Sequence, residues 1–316
     1  MDRSAEPPAR VAVVTGAARG LGAALARLLS ARGMRVALLG REHATLAALA
    51  VTLGTESHVV EVDVTDDAAM DRAAEEVTRT LGAPSVVVAN AGVAEGGPFE
   101  SSDPVTWRRV VEVNLVGSAV TARAFLPALR ATRGYFLQVA STAAFGAAPM
   151  MSAYCASKAG AEAFARSLRA EVAHLGVGVG VAYLHWTDTD MVRDVDRHAV
   201  LRELRGHMPA PARRVYPVDR VAGWLVRGIE RRRASVYAPP WLRLAQAGRP
   251  FFPTAVDLLS RRELPRLLRE HSFDQTGLLG TGGRIEEELI HRTAPRTAPR
   301  TETRGAPPPG RGLPGP

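Results

Sequence analysis

Among its 316 residues the chain has one cysteine, one lysine and no unbroken apolar run of bilayer length. The lone thiol, Cys155, excludes an internal disulfide and any metal cage built from cysteines. The lone lysine, Lys158, is followed by alanine, so no Gly-Lys-Ser/Thr triplet exists and a phosphate-binding P-loop is excluded. Without a long apolar run, integral membrane insertion is not expected. Met1 to Arg10 lack the apolar stretch of a secretory signal, which makes a cytoplasmic location the expectation. Histidines at positions such as His58, His174, His198 and His207 show no ligand spacing, and no metal is assigned.

The net charge of +8 raises the question of nucleic acid, and its distribution answers it. Residues 292–316 carry five arginines against one glutamate, which is half the excess. Residues 241–291 balance seven arginines with seven acids. The remainder is spread thinly, with no basic stripe and no recognisable motif, so no nucleic-acid partner is expected. Every other basic side chain being Arg, retention of one ammonium at Lys158 points to a place where a compact charge on a flexible stem is needed.

What is present is an alternation. Short β-branched runs (Val11–Thr15, Arg35–Leu39, His58–Val62, Ser85–Ala89, Tyr135–Ala140, Val177–Tyr183, Ser235–Ala238) are separated by longer amphipathic stretches. The latter are Gly20–Ala31, Ala44–Leu53, Asp67–Leu81, Trp107–Arg130, Ala153–Leu175 and Val218–Arg232. Runs such as Val86-Val87-Val88 imply burial on both faces, as in a parallel sheet. Strands alternating with helices predict an α/β fold: one doubly wound Rossmann-type domain with a mainly parallel sheet. Ligands of such a sheet lie beyond the carboxyl ends of its strands. The expected organisation is a flexible 1–9, the Rossmann-type domain over 10–240, a helical extension over 241–291 and a disordered Pro/Arg-rich tail over 292–316. The extension reads as short amphipathic pieces broken by Pro250, Pro253 and Pro265; a peripheral lipid contact through Trp241, Phe251 and Phe252 is conceivable but disfavoured by those breaks and the zero net charge.

The first strand runs into Thr15-Gly16-Ala17-Ala18-Arg19-Gly20-Leu21-Gly22, which opens a helix. Gly16, Gly20 and Gly22 permit a tight turn and let the backbone at Leu21 approach a pyrophosphate, which a helix N-terminus attracts. After the second strand, where NAD sites place an acid, the chain has Gly40 and Arg41. Arg41 and Arg19 converging on one ribose would suit a 2′-phosphate, each worth roughly ten- to hundredfold in affinity, and predict NADP(H).

Tyr154 and Lys158 stand four apart and share a helix face, with Ser141 at the end of a strand thirteen residues before Tyr154. A phenol is a poor base at neutral pH, with a pKa of about 10. A cation about 5 Å away at an effective dielectric near 20 contributes roughly 3 kcal/mol, or about two pKa units. Lys158, with a positive nicotinamide ring, is therefore expected to bring the phenol into working range. Ser141 would hydrogen-bond a substrate oxygen as charge develops there.

This set, in this order and on these elements, resembles the short-chain dehydrogenase/reductase family over about residues 10–240. The glycine spacing Thr-Gly-x-x-x-Gly-x-Gly and the Tyr-x-x-x-Lys pair carry the resemblance. It implies hydride transfer between NADP(H) and a small-molecule carbonyl/alcohol pair, with Asn114, Ser141, Tyr154 and Lys158 as catalytic residues. Asn114 would hold a water connecting the lysine to solvent. The resemblance adds Asp63 and Val64 as adenine contacts, Asn90, Ala91 and Gly92 as nucleotide support, and Thr189 as a carboxamide contact. Tyr154 and Lys158 would also touch the cofactor, 190–214 would form a substrate lid, and the assembly would be a homodimer or homotetramer. Met150, Met151 and Met191 faintly suggest an apolar substrate. Two departures stand out: Ala89 replaces the first Asn of Asn-Asn-Ala-Gly, and Leu184-His185 replace Pro-Gly. The alternative, a non-catalytic nucleotide-binding Rossmann protein with a regulatory or scaffolding role, typically lacks the Tyr or the Lys; this chain keeps both.

Overall fold

Seven parallel strands form one sheet in the order β3-β2-β1-β4-β5-β6-β7 in the computed structural model, which describes residues 10–293. The strands are β1 (Val11–Thr15), β2 (Arg35–Gly40), β3 (Ser57–Glu61), β4 (Val86–Ala89), β5 (Tyr135–Val139), β6 (Gly178–Leu184) and β7 (Ser235–Ala238). The expectations for 1–9 and for the tail beyond Thr293 fall outside the described residues.

Helices follow in the connections: α1 (Gly20–Ser30), α2 (His43–Ala50), α3 (Asp67–Leu81), α4 (Pro104–Val111), α5 (Gly117–Thr132), α6 (Ser152–Val172), α7 (Asp190–Val195), α8 (Ala199–Gly206) and α9 (Val218–Glu230). Three more, α10 (Leu242–Ala247), α11 (Phe252–Glu270) and α12 (Gly280–Thr293), complete the described chain. The two-residue period of a strand divides each apolar run between two cores. Val11 and Val13 join α3, α5 and α6 on one face; Ala12 and Val14 join α1, α2 and α9 on the other. Full burial of one such side chain contributes roughly 1.5–3 kcal/mol. Local signals set the helix starts: the Asp66 carboxylate accepts from the Ala69 amide at 2.9 Å, and Asp103 caps Thr106 at 2.8 Å with Pro104 at the first helical position.

The sheet order reverses between β1 and β4, so their loops diverge and leave a crevice at the carboxyl edge. The helical run Pro104–Thr132 is long and apolar enough to cross a membrane by length and composition, but its Val110, Val113, Val120, Phe125 and Leu129 belong to the core. The C-terminal stretch departs from its expectation. Residues 252–270 form one helix rather than broken pieces: Pro253 sits where its missing N–H is not needed, and Pro265 is accommodated inside α11. α12 continues through Thr293, two residues past the expected start of the tail.

Candidate active site

The crevice is a cleft of about 290 Å³ at the carboxyl ends of the strands. Its floor at one end is the glycine turn after β1. A Cβ on Gly22 would lie 2.1 Å from the Gly16 carbonyl oxygen, and Gly16 has φ +61, so neither position tolerates a side chain. The Asn90 amide donates to the carbonyls of Thr15 and Gly16 at 2.9 and 3.2 Å and locks the β4 loop to this turn. α1 has no side-chain cap and no acid in its first turn. Its first N–H groups, at Gly20, Leu21 and Gly22, therefore face the cleft as an uncompensated positive helix end, which fits a pyrophosphate. Thr189, which precedes α7, closes over the turn: its methyl would lie 3.3 Å from a Cβ on Gly20.

At the other end β5 delivers Ser141 and α6 delivers Tyr154 and Lys158 into the same cleft. The Ser141 hydroxyl hydrogen-bonds the phenol and also accepts from the Ala143 amide at 3.1 Å. The Lys158 ammonium lies 5.7 Å from the Tyr154 ring centroid, is 5% exposed, and donates to the Val139 carbonyl at 3.3 Å. Burial dominates the titration of both groups: it pushes the Tyr154 phenol up to about 12, against the Ser141 hydrogen bond, and pulls Lys158 down to about 8. At the phenol, desolvation outweighs the Ser141 hydrogen bond. Asn114 sits fully buried in a π-helical turn, Glu112–Val116, that joins α4 to α5. Its Oδ1 accepts from the Val93 amide at 2.8 Å, and its Nδ2 donates to the Val93 carbonyl and the Ser157 hydroxyl at 2.9 Å each. A Cβ on Gly92 would meet Asn114 Oδ1 at 3.0 Å and Lys158 Nζ at 3.2 Å, so the glycine lets both approach.

The departure at Leu184-His185 has a local consequence. His185 donates its amide to the Ala238 carbonyl at 3.0 Å, and its ring bridges the Thr142 hydroxyl at 3.2 Å and the Ala212 carbonyl. Burial lowers its pKa against the Ala212 contact, so at neutral pH the ring is an uncharged tie between loops. Trp186 packs with Met150, Met151, Met191, Leu201 and Phe273 beside Tyr154.

Both expected phosphate arginines line the cleft, but neither is free. Arg19 pairs with Glu42, its Nε donating at 3.1 Å. Arg41 pairs with Glu286 on α12 and lies 3.6 Å from Asp63. Arg109 of α4 joins them, donating to Asp63 at 2.5 Å, Glu286 at 2.5 Å and the Thr65 hydroxyl at 2.9 Å. Burial would raise the Asp63 carboxyl; the Thr65 amide and Arg109 outweigh it and hold it below its usual value. Val64, Asp63, Ala91 and Gly92 also line the cleft. Arg109 and Glu286 had no signal in the sequence; only Gly280-Thr281-Gly282-Gly283, which opens α12, hinted at close backbone approach. Away from the cleft, Glu203, Glu270 and His271 bring ligand-type atoms within 4.8 Å, a grouping their sequence spacing concealed.

Residues 10–199 match the family model described as short chain dehydrogenase. The chain is similar to the probable oxidoreductase EphD of Mycobacterium tuberculosis, 32% identical over 269 residues, which is 81% of this chain and 43% of that protein. It is 36% identical over 214 residues to the cis-4-hydroxycyclohexanecarboxylate dehydrogenase of Sinomonas cyclohexanicum, covering 64% of this chain and 84% of the relative. Dehydrogenase/reductase SDR family member 7B of Bos taurus is 35% identical over 188 residues, 55% and 58% of the two chains. The chain thus spans less than half the length of the mycobacterial relative.

Proposed function

The chain belongs to the short-chain dehydrogenase family of oxidoreductases, which use NAD(H) or NADP(H), and from that premise we propose that it interconverts a carbonyl and an alcohol with NADP(H), Tyr154 serving as proton donor and acceptor. The observation that carries this is the convergence of Ser141, Tyr154 and Lys158 at one end of a cleft whose other end is an uncapped helix N-terminus.

The nicotinamide, when bound, supplies or accepts the hydride at the substrate carbon. Tyr154 and Ser141 then hold the substrate oxygen between them. At neutral pH the phenol, with a pKa near 12, is protonated, and an alkoxide formed on reduction is the stronger base. Tyr154 can therefore hand its proton to that alkoxide on reduction and take it back on oxidation. Ser141 stabilises the developing oxyanion. Lys158, so deeply buried that its proton is loosely held, is poised to return a proton toward Tyr154. Asn114 keeps one Oδ1 lone pair after its tie to Val93, enough to hold a water beside Lys158.

The pyrophosphate is assigned to the α1 terminus (Gly16, Gly20, Leu21, Gly22), the adenine to Asp63 and Val64, with Asn90, Ala91 and Gly92 supporting and Thr189 facing the carboxamide. The 2′-phosphate falls to Arg41 and Arg19, next to Gly40 where an acid would exclude it. Because both arginines already pair with carboxylates, the expected preference for NADPH over NADH is about tenfold rather than the full worth of two free guanidiniums. Residues 190–214, with α7 and α8, form the substrate lid. The apolar cluster of Met151, Met191, Leu201 and Trp186 beside Tyr154 favours an apolar ketone or aldehyde. A cyclic alcohol acid is named for the Sinomonas relative, and cyclic ketones belong in the first panel. A panel of apolar ketones and aldehydes, read by NADPH oxidation, tests the proposal: turnover that vanishes in Tyr154→Phe supports it, and turnover that persists removes it.

A further inference from the structure

α12 enters the cofactor cleft from the far end of the chain. Its first residues are pinned to the start of the lid: the Gly280 amide donates to Asp194 at 2.8 Å, Thr281 to Asp190 at 3.2 Å and Arg284 to Asp194 at 3.0 Å. A Cβ on Gly280 would lie 2.9 Å from the Met191 amide nitrogen, so the helix start is pressed against α7. Further along the helix, Glu286 is buried at 6% exposure with one carboxylate oxygen on Arg109 and the other on Arg41.

A carboxylate bridging two guanidiniums is the arrangement a phosphate monoester takes. Two cations here face two anions, Asp63 and Glu286, and the anions are held differently. Asp63 is anchored by the Thr65 amide and hydroxyl at 2.9 and 2.8 Å. Among the described residues Glu286 bonds to the two guanidiniums alone. Asp63 is therefore fixed and Glu286 is exchangeable.

We propose that Glu286 is the residue that discriminates between the two nicotinamide cofactors: from α12 it occupies the guanidiniums of Arg41 and Arg109, and an adenosine 2′-phosphate must displace it. This rests on the dinucleotide reading of the cleft given above. An acid after β2 would exclude the phosphate by its fixed charge; Glu286 performs that task from a helix and can be moved. NAD(H), with a ribose hydroxyl in place of the phosphate, leaves Glu286 where it is and donates to it. NADP(H) exchanges with it and loosens α12.

The test titrates NADPH and NADH by nicotinamide fluorescence into the native chain and into Glu286→Gln, which keeps the shape and removes the charge. The variant is expected to bind NADPH about tenfold or more tightly while NADH changes by less than about threefold. An unmoved NADPH/NADH affinity ratio overturns the proposal. The native ratio is a separate readout: if NADH binds more tightly yet Glu286→Gln shifts the ratio toward NADPH, Glu286 stands and the native NADP(H) preference falls. If NADPH binds more tightly and the variant leaves the ratio alone, the reverse holds. Should the variant not fold, hydrogen exchange on the native chain decides. Amides of 280–293 exchanging faster with NADPH than with NADH support the displacement, and equal exchange overturns it.

Discussion

The two ends of the cleft are built on opposite plans. At the chemical end, Ser141, Tyr154 and Lys158 come from within eighteen positions of one another, and Lys158 is buried without a carboxylate partner among the described residues. At the adenosine end, Arg41, Asp63, Arg109 and Glu286 come from four separate elements, and every charge is matched by an opposite one. An unmatched buried charge is costly and keeps its capacity to act on a neighbour. A matched set is structurally quiet until a new charge competes for it. The first plan suits chemistry and the second suits selection.

The largest expected effect breaks the chemical end. Lys158→Met should lower turnover by at least ~10² while NADPH still binds, because the group that serves Tyr154 is gone. Lys158→Arg should fail nearly as badly, since a planar fork does not reproduce the compact ammonium that sits beside Gly92. Burial holds the folded-state pKa of Lys158 near 8 against a usual 10.5, a penalty of about 3 kcal/mol on the charged form. Below pH 8 that penalty is fully present; as pH rises from 8 to 10.5 the folded state sheds the proton first and the penalty is relieved. Lys158→Met should accordingly melt several degrees higher than the native chain at pH 7, and the gap should narrow by pH 10. Melting curves across that range check it, and a native chain that is the more stable at pH 7 would mean the ammonium is better solvated than its 5% exposure implies.

A smaller effect is expected at the adenosine end. Gly40→Asp with Arg41→Ala adds a repulsive charge and removes an attractive one, and should shift the NADPH/NADH affinity ratio toward NADH by about 10². The rate at saturating cofactor should stay within about threefold, because neither residue touches the reacting atoms. A fall in that rate equal to the fall in affinity would join the two ends into one machine. The smallest effect is screening. Raising ionic strength from about 0.05 to 0.5 M should weaken NADPH binding a few-fold more than NADH binding. Identical salt dependence of the two cofactors would place the 2′-phosphate away from Arg41.

The same contrast explains what the sequence discloses. Each of the seven strands was legible within two residues, because a doubly buried strand must be a short apolar run wherever it lies. The glycine turn and the Tyr154/Lys158 spacing were legible because the turn and the helix that hold them are local. The partner of Arg41 was not: Glu286 lies 245 positions away, and nothing in Ile285-Glu286-Glu287 marks which acid will turn inward. Arg19 was read as a phosphate ligand, yet Glu42, adjacent to Arg41, holds it, a pairing decided by how the β1 and β2 loops pack. α11 was misread for a different reason. Pro265 removes one backbone donor, but a surface helix lets water take the freed carbonyl, and the helix runs on.

The most direct test of the account is Tyr154→Phe, which removes one oxygen and keeps the ring packed between Ser141 and Lys158. NADPH titrated by fluorescence should bind with native affinity, and single-turnover oxidation of bound NADPH by a carbonyl that the native chain reduces should slow by at least ~10². Native-like binding with a native-like single-turnover rate would contradict the assignment of the proton to Tyr154.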